Sequence, residues 1–95
     1  MNHYILVKYN DAVTEKEALL EEIRELFQKT TQIEGIHQVN VYPCCIDRPN
    51  RYDVMIEITM EKEALPAYDD CQWHYIWKRD YAKYLEKKTI FDRED

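Results

Sequence analysis

The chain has 95 residues, 45% of them hydrophobic, with one glycine and three prolines. That is too apolar and too poor in chain breakers for a disordered segment. Thirteen lysines and arginines face nineteen acids, giving a net charge of −6, and no stretch gathers the basic residues, so nucleic acid and anionic membrane surfaces, which need a positive patch, are excluded as partners.

No apolar run approaches the roughly 20 residues that span a bilayer, and no apolar stretch follows a basic start as in a secretory signal. The three cysteines are odd in number, and Cys44 and Cys45 are adjacent. A reducing, cytoplasmic setting is therefore expected. A metal site from Cys44, Cys45 and His37 is not expected, because neighbouring strand residues point to opposite faces. The length suits one domain, residues 1–95, which by itself would bury roughly 60–65% of its unfolded surface. Self-association is a common way for so small a domain to add buried area.

In chain order, His3 to Tyr9 reads as a strand of β-branched and aromatic residues, with bulky apolar groups on both faces. Asn10 and Asp11 turn the chain. Thr14-Glu15-Lys16-Glu17 has the pattern of a capping box. The helix it predicts carries Leu19, Leu20, Ile23, Leu26 and Phe27 as one apolar stripe. Gly35 fits a position that needs positive φ after that helix.

Ile36 to Tyr42 predicts a second strand, alternating His37, Val39 and Val41 against Ile36, Gln38, Asn40 and Tyr42. Pro43 to Arg51 is a loop, and Tyr52 to Thr59 a third strand, antiparallel to the second. Tyr52, Val54, Ile56 and Ile58 are expected on one face, and Asp53, Met55, Glu57 and Thr59 on the other. Lys62 to Tyr68 suits a short helix in spite of Pro66. Gln72 to Leu85 suits a longer one, with Trp73, Ile76, Trp77, Tyr81 and Tyr84 as an aromatic stripe that reads as core. Lys87 to Asp92 is the last strand.

The order β-α-β-β-α-α-β predicts an α+β, ferredoxin-like plan: a four-stranded antiparallel sheet with its helices on one face. The other face also carries bulky residues, and leaving several hundred Å² of it in water would forgo many kcal/mol at about 25 cal/mol per Å². A second copy packed face to face is the simplest cover, so the expected partner is the chain itself.

His3-Tyr4-Ile5-Leu6-Val7-Lys8-Tyr9 followed by Thr14-Glu15, the segment Arg51 to Glu57, Leu65 to Tyr68, His74, and Ile90-Phe91-Asp92 together resemble the stress-responsive A/B barrel (Dabb) family. The resemblance covers nearly the whole chain. It implies a ferredoxin-like unit that pairs sheet to sheet as a dimeric α/β barrel, with a pocket in each protomer between sheet and helices. One branch of the family, resembling olivetolic acid cyclase, closes a polyketide thioester by an aldol step without a cofactor. That resemblance carries a base onto His74, a hydrogen-bond donor onto Tyr68, and a pocket histidine onto His3. Cys71-Gln72-Trp73-His74 stands where the family often has His-Pro-x-His, so only the final histidine is kept.

The chemistry matches these residue types. An imidazole that titrates near neutrality can take a proton from a carbon between two carbonyls, and a phenol can donate to the enolate oxygen that forms. Tyr42, Met55, Trp73 and Trp77 are expected around the same pocket, as walls for a small apolar or aromatic ligand. No cofactor or metal is called for. Three functions follow: a small-molecule-binding homodimer of unassigned activity, a cofactor-free cyclase or isomerase using His74 and Tyr68, or a non-catalytic assembly scaffold.

Overall fold

The computed structural model describes residues 1–95. Its strands are β1 (Asn2–Tyr9), β2 (Ile36–Pro43), β3 (Val54–Met60) and β4 (Leu85–Arg93). Helix α1 (Lys16–Gln28) joins β1 to β2, and α2 (Leu65–Asp69) and α3 (Gln72–Asp80) join β3 to β4. The sheet is antiparallel with order β2-β3-β1-β4. This is the predicted ferredoxin-like plan.

Strand alternation sorts the two faces. Ile5 lies between Ile56 on β3 and Ile90 on β4, and Val39 and Val41 continue the same face across β2. Against it pack Leu19, Ile23, Leu26 and Phe27 of α1 and Trp77 of α3. Phe27 and Trp77 meet edge to face with centroids 5.0 Å apart, which ties α1 to α3. Each such buried side chain contributes roughly 1.5–3 kcal/mol. The Thr30 hydroxyl donates to the Phe27 carbonyl at 2.6 Å and closes the end of α1. Tyr81 stacks on Trp77, so the aromatic stripe is core as expected.

The opposite face carries no helix. Tyr4, Leu6, Met55, Tyr42 and Phe91 share it with Lys8, Asn40, Glu57 and Thr89. Tyr42 and Phe91 are 45% and 60% exposed. These exposed aromatic rings stand among polar groups on the sheet face that no helix covers.

Several sequence expectations are corrected. Helix α1 begins at Lys16 behind Glu15, with no side-chain cap, so Thr14 forms no capping box. Asn10 holds the turn instead: its Oδ1 accepts from the Ala12 amide at 2.9 Å and its carbonyl from the Val13 amide at 3.2 Å. Helix α3 stops at Asp80 rather than Leu85. Beyond it, the Lys83 and Tyr84 carbonyls accept from Asn10 Nδ2 and the Asn10 amide, both at 2.8 Å, so this backbone is tied to β1 and not to a further helical turn. In β2 a bulge between Ile36 and Gln38 turns Ile36 onto the core face with Val39 and Val41. Tyr52 precedes β3, and its hydroxyl lies 2.7 Å from Thr89 Oγ1 on the helix-free face, opposite to Val54. Gly35 has φ +92° as expected, and a Cβ there would sit 3.0 Å from that of Ala64. Pro66 falls within the first turn of α2, where its missing amide proton costs nothing.

Candidate functional site

β1 places His3 on the helix-covered face, directly across from Asp92 on β4 and Ile58 on β3. The imidazole is buried, and its Nδ1 lies 2.5 Å from Asp92 Oδ1. A carboxylate only accepts, so Nδ1 carries the proton and Nε2 is left for another partner.

The α2–α3 junction supplies the rest. Tyr68 ends the buried side of α2, and the Cys71 amide donates to its carbonyl at 3.1 Å. Cys71 then caps α3, its sulfur accepting from the His74 amide at 3.3 Å. The His74 Nδ1 donates to the Asp69 carbonyl at 2.9 Å. This fixes the tautomer and leaves Nε2 as the lone-pair nitrogen. The turn that aims His74 is therefore held by Cys71 and Asp69, although the proline of the family's usual run is absent.

The two imidazoles flank one phenol. The Tyr68 ring lies 4.8 Å from that of His74 and 5.4 Å, edge on, from that of His3. Tyr68 is 1% exposed and its hydroxyl has no hydrogen-bond partner. Burial, with Cys71 and Asp69 nearby, pushes its pKa well above the ordinary phenol range, so the hydroxyl keeps its proton. A buried hydroxyl without a partner costs roughly 1–3 kcal/mol.

These groups line a cleft of about 240 Å³ between sheet and helices, with Ile5 and Trp77 beside them and Lys88 and Ile90 on β4. It is slightly smaller than the about 300 Å³ at which pockets for drug-sized ligands begin. Larger volumes, about 470 and 480 Å³, are open surface grooves beside Tyr42 and beside Gly35 that gather no such set of groups. Of the expected residues, His3, Tyr68, His74 and Trp77 come together here. Trp73 packs partly buried against the core and does not line the cleft. Tyr42 and Met55 face the other side of the sheet, because they pair with each other in the register that turns Val41 and Ile56 inward. Cys44 and Cys45 are exposed on the β2–β3 loop, and His37 lies on the surface 3.2 Å from Glu61.

Asp92 and the capping role of Cys71 are additions to the expected set. Asp92 pairs with His3 across 89 positions of chain, a register no local pattern reveals. Cysteine is not among the usual capping residues.

No protein-family model matches the sequence, and no curated protein matches it. Solved structures match across nearly the whole chain. A dimeric protein of unknown function and ferredoxin-like fold from Bacteroides fragilis is 16% identical, with a TM-score of 0.79 over 99% of this chain and 94% of that one. A protein from Arabidopsis thaliana is 21% identical, with a TM-score of 0.78 over 99% and 86%. A Dabb family protein with a ferredoxin-like fold from Mesorhizobium loti is 14% identical, with a TM-score of 0.65 over 99% and 94%. The fold expected from the sequence resemblance is thus the fold the chain shares with a Dabb family protein and with dimeric ferredoxin-like proteins.

Proposed function

We propose that this chain is a homodimeric domain whose sheet–helix cleft binds a small enolisable carbonyl compound and moves a proton on it without a cofactor. The observation that carries this reading is the partnerless Tyr68 hydroxyl, buried between two imidazoles whose Nδ1 atoms are both already engaged.

In this reading His74 Nε2 takes the proton from a carbon between two carbonyls, and the electron pair of the broken C–H bond moves onto the carbonyl oxygen. The Tyr68 hydroxyl donates to that oxygen, which completes the hydrogen bond the empty cleft leaves unmade. His3, held by Asp92 at Nδ1, presents Nε2 as an acceptor for an enol or hydroxyl O–H of the substrate. When the enolate carbon bonds to a third, more distant carbonyl of the same molecule, the π pair of that C=O bond becomes an alkoxide, the proton on His74 passes to it, and an aldol ring closure is complete with no outside reactant. Tyr68 Oη is shielded from solvent, so substrate contact requires α2 to shift outward. That helix has only five residues, Leu65–Asp69.

Dimerisation through the helix-free face fits the apolar patch of Tyr4, Leu6, Met55, Tyr42 and Phe91, and the matched proteins described as dimeric support it.

The test needs no known substrate. An acetoacetyl thioester analogue is incubated in deuterated water, and deuterium entering the carbon between its carbonyls is followed by NMR. The intact chain is expected to accelerate exchange, and His74→Ala to lose about 10²–10⁴ of that acceleration. Equal exchange by the wild type and His74→Ala would refute the assignment.

A further inference from the structure

A second cleft lies at the other end of β1, where the chain turns into α1. It holds about 260 Å³. Tyr9, Leu20 and Val54 form its inner wall, and Cys44, Ile46 and Asp47 of the β2–β3 loop its outer wall. We propose that this cleft is a binding site for a small primary amine with a compact apolar body.

Two independent features point there. The first is Tyr9. It is 8% exposed, it lines the cleft, and its hydroxyl has no hydrogen-bond partner. Burial, with Asp53 adding to it, pushes its pKa up to about 12, so at neutral pH the group is an intact hydroxyl whose oxygen is free to accept. That oxygen is shielded from solvent as Tyr68 Oη is, so a ligand donor reaches it only as the cleft widens on binding.

The second is the charge balance. Glu17, Asp47 and Asp53 line the cleft with Lys16 as the only cation. Lys16 Nζ sits 3.5 Å from Asp53 Oδ1, and Asp53 Oδ2 is occupied by the Tyr9 amide at 2.8 Å. Asp53 is thus already compensated, which leaves Glu17 and Asp47 to face the ligand. The remaining wall, Leu20, Pro43, Ile46 and Val54, is apolar. It suits an organic cation and not a metal ion, which needs oxygen ligands on most sides. The ammonium donates to the Tyr9 oxygen and a carboxylate, and the apolar body covers Ile46, now 43% exposed.

The experiment is an amide NMR titration of the full chain with three probes of one shape: phenethylamine, phenethyl alcohol and phenylpropanoate. The amine is expected to shift the amides of Tyr9, Asp53 and Ile46, with the alcohol and carboxylate weaker. Tyr9→Phe, which keeps the ring and hence the fold, is expected to lower amine affinity about 2- to 10-fold. Asp47→Asn, on the exposed loop, is expected to lower it by a similar factor. Three outcomes overturn the proposal: the alcohol or the carboxylate binding as tightly as the amine, shifts centred on Tyr68 and His74 instead, or no shifts up to about 10 mM amine. The proton-transfer reading of the first cleft stands or falls separately, since none of its groups is altered.

Discussion

Replacing Tyr68 by Phe removes one oxygen and leaves the ring, its two imidazole neighbours and the α2 backbone in place. In the structure that oxygen is buried with no partner, and the desolvation of such a group costs roughly 1–3 kcal/mol. The void left by a single oxygen returns part of this as lost packing. A net gain of about 1 kcal/mol is therefore expected, or roughly 4–8 °C in Tm for a domain of this size. Unfolding by heat and by urea, at one fixed protein concentration because a dimer's stability depends on it, measures the gain. The same variant in the deuterium-exchange assay is expected to lose about 10²–10³ of the wild-type rate, the usual effect of removing one donor to a developing oxyanion. Stability and activity thus move in opposite directions, which a purely structural tyrosine would not do. If Tyr68→Phe is less stable than the wild type, the hydroxyl has a partner in solution and the argument for a vacant donor collapses.

Other consequences are independent of catalysis. Gly35→Ala forces a side chain onto φ +92° and into a 3.0 Å approach to Ala64, so a loss of about 1–3 kcal/mol is expected in urea unfolding. Cys71→Ala removes the sulfur that caps α3 and is expected to cost about 1 kcal/mol, whereas Cys71→Ser, a better cap, keeps or raises stability. Phe91→Asp places a charge in the helix-free face beside Tyr4, and light scattering is expected to show a dimer for the wild type and a monomer for the variant. In alkali the sign follows from Tyr9: its folded pKa of about 12 exceeds the ordinary 10.0, so its contribution is whole below pH 10 and lost as pH rises through 12. The loss reaches up to about 1.4 kcal/mol per pH unit, Tyr68 adds to it in the same direction, and Tyr9→Phe flattens the slope.

The element order was readable because period-two and period-3.6 patterns were both present in strong form: Ile5 and Val7 on β1, Ile56 and Ile58 on β3, and Leu19, Ile23, Leu26 and Phe27 on α1 all fall on the core face. What local pattern misjudged was decided by distant partners. The motif at Thr14 asks for a capping box, but the turn before α1 is organised by Asn10, whose other bonds reach the Lys83 and Tyr84 carbonyls more than 70 positions away. The same bonds explain why the aromatic stripe continues in sequence past Asp80 while the helix does not. Tyr81 and Tyr84 keep packing on the core after the backbone has left α-helical geometry. Ile36 was misplaced because strict alternation has no provision for a bulge.

At the site, residue type was legible and direction was not. Tyr42 and Met55 look as suitable for a pocket wall as Trp77 does, and strand parity already set Met55 apart from Val54, Ile56 and Ile58. A face can be assigned from parity only when it is known which face the helices cover, and that depends on burial summed over the whole sheet. Asp92 illustrates the same limit from the other side. It stands beside Phe91 near the end of β4, and nothing local marks it as the partner of a buried histidine. The β1–β4 register brings it opposite His3, and that pairing determines which nitrogen of a buried imidazole is free. A histidine in the sequence names a possible base; the hydrogen bond to its other nitrogen decides which atom can act, and here both such bonds, to Asp92 and to the Asp69 carbonyl, are made at Nδ1. Both Nε2 atoms therefore remain available beside a phenol that has no partner of its own, and this shared vacancy, not the presence of two histidines and a tyrosine, makes the cleft a candidate for chemistry.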